Sequence, residues 1–241
     1  MYWYHSHLHM LTTEQVTKGE AGLVIVKDPI EAALTLPRNY GTDDIPLVVQ
    51  TRAFDAAKQF DAMSAIDSVV LINGTKNAFV NLPAQVVRLR LINAATMRLF
   101  NFGFSNNATF YQIGTDGGLL AAPVSMTRLR LAPGERAEVL LDLTGMQGQT
   151  IYLTNYGSQL PNGYYGAPNP AAMGFATIPG YSSNGLNGTD KNLMQINVAA
   201  PTASPVTTIP SSLTVVTPIP QSAANFTRTK TFTPKTMGGG A

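Results

Sequence analysis

The stretch "VVRLRLIN", residues 86–93, restricts what this chain can fold into more than any other. In an extended strand Val87, Leu89 and Leu91 fall on one side, and Arg88 and Arg90 on the other. "RAEVLLDL", residues 136–143, repeats the pattern, with Ala137, Val139, Leu141 and Leu143 inward and Glu138 and Asp142 outward. Period 2 marks a strand with one face on a core and does not fit an amphipathic helix. Further strands are expected in "IPLVVQTRAF", "SVVLINGT", "AFVNL", "RLFNFGF", "TFYQIGTDG", "TRLRLAPG", "TIYLTN" and "LMQINVA". Turn signals such as Asn73-Gly74, Asp116-Gly117-Gly118 and Pro133-Gly134 separate them. Many short strands so spaced read as an antiparallel Greek-key sandwich or barrel.

Composition agrees. Only 12% of the 241 residues are charged, and 21 glycines with 16 prolines supply the turns of an all-β chain. A formal net charge of +2 points to no nucleic-acid partner. The pairs Arg88/Arg90 and Arg128/Arg130 alternate with leucines, which reads as the solvated outer face of strands. No apolar run approaches the roughly 18 residues of a membrane span, and no signal peptide opens the sequence. Cysteine is absent, which excludes disulfides, thiolate nucleophiles and thiolate-bound metals.

Residues 1–30 read as a hairpin, "MYWYHSHLH" against "GLVIV", with a polar loop and a short helical turn between the strands. A two-stranded hairpin is not stable alone in water, so its sheet is expected to continue outside this chain. Residues 31–44 read as a connector, 45–198 as a complete β domain, and 199–227 as a proline-spaced extended linker. Residues 228–241 read as the start of another unit, and 155–190, rich in Gly, Asn, Pro and Tyr, as a long surface loop.

All three histidines, His5, His7 and His9, fall in the first expected strand. Alternation gives them one face, and gives Ser6 and Leu8 the other. Cα atoms at i and i+2 lie roughly 6.5–7 Å apart, so two imidazoles can share one ion or address two neighbouring ions. Neutral imidazole suits copper and zinc alike. The plainer reading is a polar edge strand with its histidines in solvent. Three histidines on one rigid strand cannot surround a single ion, and the nearest carboxylate, Glu14, sits in the loop. Ser6 points away from the histidines and no G-x-S-x-G elbow occurs, which argues against a hydrolase. The row is half a metal site at most.

Trp3-Tyr4-His5-Ser6-His7, followed by a glutamine, "GEAG" and "LVIVKDP", resembles the end of the first domain of multicopper oxidases. That family includes laccases, bilirubin oxidases and bacterial copper-efflux oxidases. "IPLVVQTRAFD", "VLINGT", "VRLRLINAATMRLFNFGF", "QIGTDGGLL" and "LRLAPGERAEVLLDL" resemble its second domain in order, and "TRTKTFTPKTMGGG" the approach to its third. Glu20, where leucine is usual, and Thr51, where aspartate is frequent, depart from the pattern.

The resemblance implies an all-β, cupredoxin-like Greek-key β-sandwich. Residues 1–30 would close a first cupredoxin domain, 45–198 form the second, and 228–241 begin the third. His5 and His7 would each bind one of the paired type 3 coppers, with Trp3 and His9 beside the ligands rather than among them. In the family, four coppers couple one-electron oxidation of a phenol, a bilirubin-like compound or a metal ion to four-electron reduction of O2. The resemblance implies a periplasmic or secreted protein. The family's H-W-H, H-x-x-H-x-H and H-C-H-x-x-x-H motifs do not occur here. The chain is therefore expected to be an internal segment with an incomplete copper site, inactive without the first and third domains of its parent as partners. Two further readings stand beside this one. The first is a copper-free structural or interaction protein of the cell-division type, which resembles these oxidases and lacks their ligands. The second is a β-sandwich binding module that uses Tyr156, Tyr164, Tyr165 and Tyr181 of the long loop.

Overall fold

The computed structural model describes residues 1–62, 64, 66–171 and 178–231. It begins with an antiparallel hairpin, β1 (Tyr2–His5) and β2 (Ala21–Val24), joined through helix α1 (Thr12–Thr17). A short helix α2 (Pro29–Ala33) follows, capped by the Asp28 side chain, which accepts from the Glu31 N–H at 2.8 Å. The chain continues through β3 (Asp44–Arg52), β4 (Val69–Ile72), β5 (Phe79–Pro83), β6 (Val86–Asn93), β7 (Phe100–Phe104) and β8 (Phe110–Thr115). It ends its strands with β9 (Gly118–Met126), β10 (Leu129–Leu131), β11 (Arg136–Asp142), β12 (Thr150–Tyr156) and β13 (Asp190–Ala199).

Two sheets pack face to face, one in the order β4-β3-β6-β11-β8-β9 and the other β10-β7-β12-β13-β5. Parallel pairs, β3 with β6 and β5 with β13, mark where the chain crosses over before pairing. Between the sheets lies the core that the alternation foretells. Val87, Leu89, Leu91, Val139 and Leu141 meet Phe100, Phe102, Phe104, Leu153 and Ile196 there. Phe104 and Phe110 meet edge to face at 5.4 Å.

The outer face of the six-stranded sheet corrects the reading of the arginine pair. Arg88 and Arg90 are 2% and 3% exposed, not solvated, and Glu138 is buried with them. Arg90 grips Asp44 with Nε at 2.6 Å from Oδ1 and Nη2 at 2.8 Å from Oδ2. Glu138, directly across from Arg90 in the ladder, accepts from Arg90 Nη1 at 2.8 Å and from Arg88 Nε at 2.9 Å. Arg88 Nη1 also reaches Glu31 of α2 at 2.6 Å, and Arg38 pairs with the same carboxylate at 2.7 Å. Alternation placed these charges on the outward face correctly. It could not say that α2 and the hairpin would cover that face.

Charge and grease divide the stripe along β6. Val86 packs with Leu36, Ile113, Leu140 and Leu213, while Ile92 and Ala94 pack beneath Met1, Trp3 and Leu23. The linker after β13 is tied across the same face: Val206 O accepts from Val86 N–H at 2.8 Å, and Leu213 N–H donates to Ala121 O at 2.9 Å. Of 228–241, no strand forms over 228–231, and 232–241 lies outside the described residues.

Three other readings change. The first strand stops at His5 instead of running to residue 9. Strand β9 escapes the sequence pattern because "GLLAAPVSM" neither alternates nor avoids proline. It is an edge strand, where Pro123 can lack a donor at little cost. In the 155–190 loop, Tyr156, Tyr165 and Tyr181 turn their hydroxyls to Phe104 O, Asp67 Oδ1 and Ala167 O, at 2.8, 2.9 and 2.8 Å. Only Tyr164 of the four is exposed, at 52%, so the loop offers no tyrosine-rich contact surface. Burial, with the Asp67 carboxylate alongside, pushes the Tyr165 hydroxyl well above the usual phenol value.

Burial works to raise the pKa of Glu138, yet Arg88 and Arg90 override it and hold the carboxyl below its ordinary value of 4.5. Glu31 is lowered in the same way, burial being outweighed by Arg88 and Arg38. Both groups thus contribute stability that is full above the unfolded value and is lost as pH falls through the folded one. Glu138→Gln should cost about 3–5 kcal/mol in denaturant unfolding at neutral pH, because it leaves buried guanidinium charge uncompensated. Below pH 4.5 the unaltered protein should lose stability more steeply than the variant. Equal stability at neutral pH would show that the network holds nothing together.

Candidate metal centre

The histidine segment sits at the end of the hairpin that covers Ile92 and Ala94. In β1, Trp3 and His5 face the domain half-buried, whereas Tyr2 and Tyr4 are exposed at 48% and 61%. The Tyr4 ring lies across Gly22, its ladder partner, where an added Cβ would come within 2.5 Å of the hydroxyl. A side chain at 22 would push that ring aside, so the glycine lets it lie flat. On the other face Trp3 carries His5, ring centroids 4.3 Å apart, and His5 carries His7 at 4.4 Å with planes 27° apart.

His5 and His7 therefore come together, although strand alternation does not hold the second. His9 is exposed, and among the described residues it takes no part in the ring stack. Glu14 lies in α1 and pairs with Lys18 at 2.5 Å, away from any donor role. Ser6 Oγ bonds to Gln15 Oε1 instead of a histidine, which removes the arrangement a hydrolase needs.

His5 Nδ1 is 2.8 Å from the carbonyl oxygen of Ser6. A carbonyl can only accept, so Nδ1 carries the proton and Nε2 keeps its lone pair for a metal. A nitrogen lone pair lies in the plane of its ring. Planes tilted by 27° and stacked at 4.4 Å meet far beyond the roughly 2.0–2.1 Å of a metal–imidazole bond. In this arrangement the two rings cannot close on a single ion. Among the described residues no group of three or more His, Cys, Asp or Glu is placed to hold a metal. The donor chemistry fits copper as part of a site, two imidazoles with the rest of the ligands to come from elsewhere.

A cleft of about 370 Å³ opens beside the stack, lined by Trp3, His5, Thr12, Thr13, Thr96 and Pro133. It lies between the hairpin and the domain, and no carboxylate, lysine or arginine lines it. A larger hollow, about 510 Å³, lies against Tyr152, Asp190 and Gln195 on the other sheet and contains no histidine.

Sequence reasoning missed the anchors of this segment. Arg52 of β3 donates through Nη1 to Thr51 O at 3.0 Å and through Nη2 to Val16 O at 3.4 Å, tying α1 to the sheet. No local pattern marks a contact between residues 36 positions apart. Ser6 stood in plain view between the histidines, but its partner could be named only once α1 was placed.

The multicopper oxidase family model matches residues 40–172. The chain is 39% identical over 154 residues to the cell division protein FtsP of Xenorhabdus nematophila, which covers 62% of this chain and 33% of that protein. It is 34% identical over 157 residues to FtsP of Escherichia coli K12, covering 63% and 33%. Among solved structures, the McoA multicopper oxidase of Aquifex aeolicus superposes with a TM-score of 0.74 at 28% identity, over 92% of this chain and 46% of that one. The laccase-like multicopper oxidase CueO of Ochrobactrum sp. gives 0.70 at 31% identity, over 91% and 45%. The sandwich is thus the all-β, cupredoxin-like one expected from the strand pattern. The chain spans about a third of the curated relatives and less than half of these structures.

If the stack presents metal donors, Cu(II) added to the chain should quench Trp3, its one tryptophan. His5→Ala and His7→Ala should each weaken that quenching at least about tenfold, and His9→Ala should leave it unchanged. An effect confined to His9→Ala would place the donors elsewhere.

Proposed function

Since the chain belongs to the multicopper oxidase family, we propose that it supplies the middle domain of a copper-dependent oxidase and two ligands of its paired coppers. The observation that supports this is the His5–His7 stack, with the Nδ1 proton of His5 held by Ser6 O at 2.8 Å. His5 and His7 would bind the metals through their free ring nitrogens. Trp3 shields one face of His5 from water and keeps the ring from turning. Copper, when bound, supplies the one-electron steps that join oxidation of a reductant to reduction of O2. The remaining ligands belong to first and third domains of the parent, and the reductant is a small molecule or a metal ion. A periplasmic or secreted setting accords with this reading. No helix among the described residues is long and apolar enough to cross a membrane.

A second reading rests on the curated relatives, which are cell division proteins. On that reading the same sandwich serves as a copper-free structural or interaction protein, and the two histidines are a remnant. Copper analysis of the protein produced from its complete reading frame separates the two. The oxidase reading predicts about four coppers per chain, with O2 uptake abolished in His5→Ala or His7→Ala and the type 1 blue colour retained. A copper-free protein would favour the structural role, and O2 uptake that survives both substitutions would overturn the ligand assignment of His5 and His7.

A further inference from the structure

We infer that Ser6 and Gln15 are the positioning pair that holds the imidazoles of His5 and His7 side by side, an inference that rests on the two rings being metal donors. The need for such a pair follows from where β1 ends. Its last residue is His5, so no ladder hydrogen bond fixes the backbone that carries His7. A chain leaving a strand would otherwise let that ring swing through its rotamers, at an entropic cost each time a metal bound.

Ser6 takes over where the strand stops, and it does so with both of its polar ends. Its carbonyl accepts from Nδ1 of His5 at 2.8 Å, which sets the orientation of the first ring. Its hydroxyl accepts from Leu8 N–H at 3.3 Å, folding the backbone around His7, and bonds to the Gln15 side-chain oxygen. Leu8 O in turn accepts from Leu11 N–H and from Thr12 Oγ1, each at 3.0 Å. Gln15 is itself fixed, because its N–H donates to Leu11 O at 2.9 Å and α1 is pinned to β3 through Arg52 at Val16 O. The line of force therefore runs from the sheet to Arg52, α1, Gln15, Ser6 and the two rings. Neither Ser6 nor Gln15 needs to touch a metal to act.

The first test uses no metal. In the unaltered chain, proton NMR should show the His5 and His7 ring signals displaced from those of exposed His9 by their neighbours' ring currents. Ser6→Ala and Gln15→Leu should return His7 toward the His9 position, and Gln15→Glu, which keeps an acceptor for Ser6, should preserve the displacement. Amide shift dispersion reports that each variant is folded, and unchanged ring shifts in folded Ser6→Ala overturn the proposal. The second test adds Cu(II) alone and follows Trp3 emission. Ser6→Ala and Gln15→Leu should weaken binding on the order of 10–100-fold, with Gln15→Glu close to the unaltered chain. Unaltered affinity in Ser6→Ala overturns the positioning role while leaving the donors in place. Copper binding indifferent to His5→Ala and His7→Ala instead overturns the metal assignment, even where the ring shifts respond as described.

Discussion

Glu138 stands in a buried position between Arg88 and Arg90, and through Arg88 it joins the sheet to Glu31 of α2. Around it three guanidinium groups, Arg38, Arg88 and Arg90, meet three carboxylates, Glu31, Asp44 and Glu138. Charges taken out of water this far are tolerable only when matched, and removing one partner is far more costly than the pair is favourable. The sheet alone provides Arg88, Arg90, Asp44 and Glu138. Glu31 and Arg38 come from the connector, so the network closes only when α2 is docked.

The other end of the stripe is held by different contacts. Arg136 Nε donates to Met1 O at 3.2 Å, so β11 holds the residue that leads into β1. Two residues on, Trp3 rests on Ile92 and Ala94, and two further, His5 rests on Trp3. Rigid strand pairing carries position from the sheet as far as His5. Beyond it, side-chain hydrogen bonds to α1 take over. The candidate site is placed at a domain edge by one framework and shaped by another.

Much of the sandwich was legible because alternation speaks directly to one buried face, as Val87, Leu89 and Leu91 illustrate. The second face was not legible. Arg88 and Arg90 have the sequence signature of solvated residues, and their burial depends on residues around 31–38, 50 or more positions away in the chain. Strand β9 was lost for the opposite reason: its edge position imposes no pattern on the sequence. At the site, spacing brought His5 and His7 together for partly the wrong cause. The strand that was to align them ends at the first, and a serine–glutamine contact does the rest. Tyr165 and Tyr181 looked like surface aromatics by composition, but the Asp67–Arg98 pair and the Ala167 carbonyl draw them inward.

On the proposed function, the two stacked imidazoles serve two ions and not one. Pulsed electron paramagnetic resonance on the chain loaded with Cu(II) counts the imidazoles coupled to each copper. The account predicts a single histidine per ion, with the second copper taken up at the neighbouring ring. Two equivalent imidazoles on one copper would contradict it.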